Sequence, residues 1–132
     1  MIVADANIIV YRFIPSSRTE DAISLVNFDA EWAAPILWRS EVRNALSNHM
    51  RAGQINRQDA KTMMQLATAC LLGGEHAVSD HAVFELVAKS RCSAYDCEYV
   101  ALAEALGTIL VTEDQKLLRA FPKRCRSIVQ VI

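Results

Sequence analysis

The chain has 132 residues, about one domain's worth, of which 52% are hydrophobic and 22% charged, with 14 Lys plus Arg against 15 Asp plus Glu and a formal net charge of −1. A chain of this size typically buries roughly two thirds of its unfolded surface, so one ordinary core suffices without disulfide or metal staples. The balanced charge excludes a polybasic nucleic-acid coat, which would show as a large Lys/Arg excess, but leaves room for a locally basic groove.

Met1-Ile2-Val3-Ala4-Asp5 carries no positive segment ahead of a long apolar run and no small-residue cleavage site, so no secretory signal is expected. No run approaches the ~20 apolar residues of a membrane span. The chain reads as cytoplasmic, with no membrane partner. Its four cysteines, Cys70, Cys92, Cys97 and Cys125, form no C-x-x-C pair, and His49, His76 and His81 show no zinc-ligand spacing with them. They read as reduced, mostly buried thiols.

No linker, low-complexity tract or fixed-period repeat divides the sequence, so a single domain over residues 1–132 is expected. Strand-length apolar runs fall at Ile2 to Ala4, Ala30 to Ala34, Ala77 to Val78, Ile109 to Val111 and Ile128 to Val131. Between them the spacing turns helical. A short first helix starts near Asn7, and a second runs from about Thr19 to Phe28. Pro35 suits the first turn of a third helix, which continues through Glu41, Val42, Ala45, Leu46 and Met50 to Gly53. Asn56 caps a fourth, which runs to Gly73-Gly74. Ser79 or Asp80 opens a fifth that ends near Ser90, Ser93 opens a sixth that ends at Gly107, and a seventh follows Thr112 and stops near Pro122. Strands alternating with helices imply an α/β fold, a parallel sheet of about five strands flanked by helices on both faces. The third and fourth helices form a hairpin with no strand between them.

In open parallel sheets, binding sites sit beyond the carboxyl ends of the strands. Asp5 and Asp114 occupy that place after the first and fourth of these runs. Each also has a purely structural reading: Asp5 or Asn7 can cap the first helix, and Thr112 with Gln115 has capping-box spacing. Two helical acids are harder to dismiss. Glu41 shares a line with Leu37 and Ala45 beside the stripe of Trp38, Val42 and Leu46, at the edge of a buried face. Asp96 precedes Tyr99, Val100 and Ala103 on the apolar side of its helix, although Ser93 and Asp96 also have capping-box spacing. Withdrawing an ionised carboxylate from water costs several kcal/mol unless a partner compensates. Arginine can balance the charge. The alternative is a hard divalent cation, because Mg²⁺ and Mn²⁺ prefer oxygen ligands, and an all-oxygen cluster at the mouth of a parallel sheet suits metal-assisted phosphoryl chemistry.

The acids sit in the stretches Ile2-Val3-Ala4-Asp5-Ala6-Asn7, Ser40-Glu41-Val42-Arg43-Asn44-Ala45-Leu46, Ser93-Ala94-Tyr95-Asp96-Cys97-Glu98-Tyr99-Val100-Ala101-Leu102-Ala103 and Leu110-Val111-Thr112-Glu113-Asp114-Gln115-Lys116-Leu117-Leu118. In this order and at these intervals they resemble the PIN-domain nucleases, and within them the VapC-type toxins of toxin–antitoxin pairs, over nearly the whole chain. The resemblance implies a PIN-like three-layer fold and Mg²⁺- or Mn²⁺-dependent endoribonuclease action on RNA phosphodiesters. It makes Asp5, Glu41, Asp96 and Asp114 the catalytic and metal-holding acids around one or two ions. It also implies orienting hydrogen bonds from Asn7 and Thr112, a homodimer, and a VapB-like antitoxin whose C-terminal segment covers the acidic pocket, often with an arginine. The family's fourth motif often carries a further Asp two residues after its main one; here that place is Lys116, which argues against a permanently held second ion. Cys97 replaces a common Ala, small for small.

An acidic pocket repels RNA, so positive charge is needed around it. Lys116, Arg119, Lys123, Arg124 and Arg126 follow Asp114 with no acid among them and form a candidate phosphate track. Arg12, Arg39 and Arg43 lie close in sequence to the first two acids; the expected RNA contacts are Arg12, Arg43, Lys116 and Arg119. Trp38, Tyr95 and Tyr99 are able to stack on bases, but their apolar spacing favours core packing. The series Met63, Met64, Leu66, Ala67, Cys70 and Leu71 presents more apolar surface than a lone monomer wants. Two readings compete with a nuclease: a catalytically silent PIN-like module that binds RNA or protein, and a phosphoacceptor receiver domain. The four intact acids argue against the first, and Ala4-Asp5-Ala6 lacks the acid pair of the second; a general phosphatase is weaker still.

Overall fold

The computed structural model describes residues 1–132. In chain order its elements are β1 (Ile2–Ala4), α1 (Ala6–Phe13), α2 (Thr19–Phe28), β2 (Trp32–Pro35), α3 (Trp38–Arg51), α4 (Arg57–Cys70), β3 (Glu75–His76), α5 (Asp80–Ala88), α6 (Ala94–Leu106), β4 (Leu110–Val111), α7 (Gln115–Ala120), β5 (Cys125–Arg126) and α8 (Ile128–Val131). The strands are all parallel and lie in the order β3-β2-β1-β4-β5. From β1 the chain moves outward to β3, then returns to set β4 on the free side of β1. The strand order therefore reverses between β1 and β4, and a crevice opens there beyond the carboxyl ends of the strands.

Both faces of the sheet are covered, which is why β1 and β2 read as unbroken apolar runs rather than alternating ones. Val3, Ala4, Ala33 and Ala34 have no exposed surface. Helix α6 lies against β1, β2 and β4 with α5 packed on it, and α1 gathers α2, α3 and α4 on the opposite face. The expected hairpin of α3 and α4 is present. No helix is long and apolar enough to cross a membrane, and all four cysteines are free thiols.

Local signals set most helix ends. Asn56 and Asp59 form a reciprocal capping box at α4, Ser93 caps α6 by accepting from the Asp96 amide at 3.0 Å, and α6 stops at Gly107, whose φ of +64° favours glycine. Gly74 serves a different purpose. A Cβ there would stand 2.3 Å from the Trp32 carbonyl oxygen, so only glycine lets the chain approach β2, where the Gly74 carbonyl accepts from the Ala34 amide at 2.9 Å.

Four local expectations need correction. Pro35 ends β2 instead of opening a helix, and α3 starts three residues later at Trp38. The third strand lies at Glu75–His76, just before the expected Ala77 to Val78, because its partners are Ala34 and Pro35. The run from Ile128 to Val131 is the helix α8, not a strand: Ser127 and Gln130 form a capping box, and the place beside β4 is taken by Cys125 and Arg126. Finally, Thr112 does not cap α7. Asp114 does, accepting from the Lys116 amide at 2.8 Å.

Candidate active site

Asp5 is fixed by the register of the sheet. Directly after β1, its amide donates to the Val111 carbonyl of β4 at 3.1 Å. Its Oδ1 then accepts from the Ala6 amide at 2.7 Å, which caps α1, while Oδ2 accepts from the Thr112 hydroxyl at 2.6 Å. Thr112 is wholly buried just past β4, and its hydroxyl also accepts from the Asp114 amide at 3.1 Å. One side chain thus ties the acids on both sides of the crevice.

The other two acids arrive on helices from opposite layers. Asp96 lies in the first turn of α6, where its amide donates to the Ser93 hydroxyl and its side chain lines the crevice. Glu41 falls in the first turn of α3, because that helix begins at Trp38. Its Oε1 accepts from the Tyr99 hydroxyl of α6 at 2.6 Å. Asp5, Glu41, Asp96 and Asp114 together line one pocket of about 460 Å³. Each stands at a helix N-terminus, where the macrodipole typically offsets 0.3 to 1 kcal/mol of the repulsion.

That offset is partial. Burial pushes the Asp5 carboxyl above its ordinary range, the charges of Asp96 and Asp114 push the same way, and the Thr112 and Ala6 hydrogen bonds oppose them. Glu41 is raised by burial and by Asp5, Asp96 and Glu98, against the Tyr99 hydrogen bond. Asp96 is raised by burial and Asp114, with the Ser93 hydrogen bond and the Lys116 charge opposing. No ion pair relieves any of the four: those of the molecule engage Asp21, Asp29, Glu75 and Glu113. No group of three or more His, Cys, Asp or Glu side chains is gathered tightly enough to form a ready-made ion cage. The acids share a pocket rather than a cage, and their all-oxygen character is the one that hard divalent cations select.

Asn7 lines the pocket but makes no side-chain hydrogen bond, so of the two expected orienting residues only Thr112 reaches an acid. The basic residues divide. Arg12 is committed elsewhere, donating to the Cys70 sulfur at 2.7 Å and lying over the Trp32 ring at 4.9 Å. Arg39 pairs with Glu75 at 2.6 Å, and Arg124 and Arg126 donate to backbone carbonyls. Arg43, Lys116, Arg119 and Lys123 are exposed. Of the aromatic side chains, Trp38 and Tyr99 are buried, but Tyr95 is 64% exposed on the pocket rim, contrary to the core reading. Ser40, Asn44 and Asn48 also line the pocket. Their signal is present in the sequence, since positions 37, 41, 44, 45 and 48 share one face of a helix.

The PIN domain family matches residues 2–122. Ribonuclease VapC3 of Pyrobaculum aerophilum is 32% identical over 124 residues, covering 92% of this chain and 95% of that protein. Among solved structures, PAE2754 from Pyrobaculum aerophilum superposes with a TM-score of 0.74 at 20% identity, over 97% of this chain and 90% of the other. FitAcB from Neisseria gonorrhoeae does so with a TM-score of 0.74 at 14% identity, over 98% and 99%. The chain belongs to the PIN-domain family, and within it to the VapC type.

Proposed function

We propose that the chain is an endoribonuclease that hydrolyses RNA phosphodiester bonds with Mg²⁺ or Mn²⁺, and that it is the toxin of a toxin–antitoxin pair. The observation that carries this reading is the convergence of four carboxylates, unrelieved by any ion pair, at the strand-order reversal. The likeness to Ribonuclease VapC3 supports RNA as the substrate. Asp5, Glu41, Asp96 and Asp114 would hold the ion. When bound there, a divalent cation lowers the pKa of water and neutralises charge on the phosphate.

The rest falls to the chain itself. Thr112 and the start of α1 hold Asp5 in one orientation, Tyr99 holds Glu41, and neither needs to move when RNA arrives. Asn7, Asn44 and Asn48 offer neutral hydrogen-bonding groups to the ribose–phosphate backbone without adding charge. Lys116, Arg119 and Arg43 are exposed and free to attract phosphates. A VapB-like antitoxin would silence the site by placing a basic side chain among the four acids. A homodimer, a cytoplasmic location and a single folding unit over the whole chain belong to the same reading.

The test is cleavage of labelled RNA by purified protein with Mg²⁺. Wild type is expected to cut, and Asp96→Asn to bind RNA without cutting it. Equal cleavage by both would overturn the assignment, and binding with no cleavage by either would favour a silent RNA-binding module.

A further inference from the structure

A groove of about 400 Å³ adjoins the acidic pocket, and Tyr95 lines both. Its walls are apolar: Ile36 after β2, Val78 after β3, Phe84 on α5 and the Tyr95 ring on α6. Ile36, Phe84 and Tyr95 are all more than half exposed, with 55%, 66% and 64% of their surface open. Lys and Arg are absent from the lining, whose polar members are His76, Asp80 on α5 and Glu98 on α6, and neither carboxylate makes a hydrogen bond or an ion pair. Two carboxylates against one imidazole make the groove a poor host for phosphate. It suits a flat heteroaromatic ring that carries a hydrogen-bond donor.

A single-stranded RNA threaded through the acidic pocket presents such a ring one nucleotide away from the phosphate. An unstacked base regains its lost stacking on an exposed aromatic side chain, and a carboxylate accepts from an exocyclic amine. Resting on the ribonuclease reading, we propose that the groove is a nucleobase subsite: it takes an amino-bearing base, adenine, cytosine or guanine, beside the cleaved bond, with Tyr95 stacked on the ring and Glu98 accepting from the amine. Uracil has no such amine and is the disfavoured base.

The experiment compares short RNA oligonucleotides that differ only in the bases flanking the cleaved bond, cut by the full chain with Mg²⁺. The kcat/KM for an amino-bearing base is expected to exceed that for uracil by about fivefold or more, with the ratio falling toward one in Glu98→Gln. Tyr95→Ala is expected to raise KM by about fivefold or more, and Tyr95→Phe to keep the low KM because the ring still stacks. A base preference untouched by Glu98→Gln and Glu98→Ala overturns the proposal. So does a Phe84→Ser variant that changes oligomeric state while leaving the preference intact, which would make the groove a protein interface. Fluorescence anisotropy of the same oligonucleotides on Asp96→Asn protein reads the preference without cleavage. A chain that binds with this preference but cuts nothing sinks the ribonuclease reading alone.

Discussion

Glu113 and Asp114 are neighbours in the chain with opposite fates. Glu113 accepts from the Ile128 amide at 2.9 Å and pairs with Arg18 at 3.2 Å, fastening α8 and α2 to the loop after β4. Asp114 turns to the pocket, where it adds to the repulsion on Asp5 and Asp96. The same contrast divides the molecule. At the β2–β3 edge, Glu75 accepts from both Arg39 and Trp38, and its carboxyl is held below the usual range mainly by the Arg39 hydrogen bond. In the pocket, burial and like charge drive Asp5, Glu41 and Asp96 the other way. Glu113 and Glu75, which tie distant elements together, each come with a cation. Asp5, Glu41 and Asp96 have none, so they destabilise the empty protein and are kept in place by surrounding structure, which marks the pocket as functional.

The largest test of this contrast is Asp96→Asn or Asp5→Asn. Either is expected to lower RNA cleavage by more than the roughly 10- to 100-fold that losing an orienting partner costs, read as the initial rate on labelled RNA. Chelation with EDTA should abolish cleavage to a similar extent, with Mg²⁺ or Mn²⁺ restoring it; undiminished cleavage in EDTA would break the divalent-ion reading. Next in size is Tyr99→Phe, which removes one hydrogen bond from Glu41 and leaves the ring in the core. Activity should fall about 10-fold. Because the lost bond had been lowering the Glu41 pKa, the acid limb of the pH–rate profile should move to higher pH. A structural role confined to packing would leave that limb where it is.

The smallest effects concern stability and have opposite signs in the two regions. In ion-free protein the raised pocket acids keep protons that the unfolded chain has already released. Their favourable contribution is therefore complete below the unfolded carboxylate range and is lost as pH rises through their raised native values. Glu75 runs the other way, stabilising above its unfolded value and losing that stabilisation as pH falls through its depressed native one. At neutral pH without divalent ions, Asp5→Asn should thus raise Tm, and wild type should gain more Tm from added Mg²⁺ than the variant. Glu75→Ala should lower Tm, by about 1 kcal/mol of stability because the pair is partly solvated, with the deficit shrinking in acid. Calorimetry across pH checks both, and a shared sign would dissolve the distinction.

Helices were the most legible part of the chain. Thr19–Phe28 forms over the expected span, and Asn56, Ser93 and Gly107 mark helix ends as capping chemistry requires. Strands were less so. Cys125–Arg126 has two residues and exists because β4 offers it an edge, so no periodicity could reveal it. Apolar content at Ile128 to Val131 instead suggested a strand, although the Ser127–Gln130 spacing was the better guide to α8. Tyr95 departs from the core expectation for a related reason: an aromatic residue in an apolar helix is buried only where the helix has a neighbour on that side, and Tyr95 is exposed.

The sequence by itself determined which residues carry charge, where helices start and stop, and how the four acids are spaced, because caps and amphipathic faces act over a few residues. Only the tertiary structure decided that α1, α3, α6 and α7 aim their N-termini at one crevice, that Thr112 and Tyr99 hold Asp5 and Glu41, and that Arg12 is spent on Cys70. Those outcomes join residues 58 to 107 positions apart. Strand order and helix packing, which depend on the whole chain at once, bring such distant residues together.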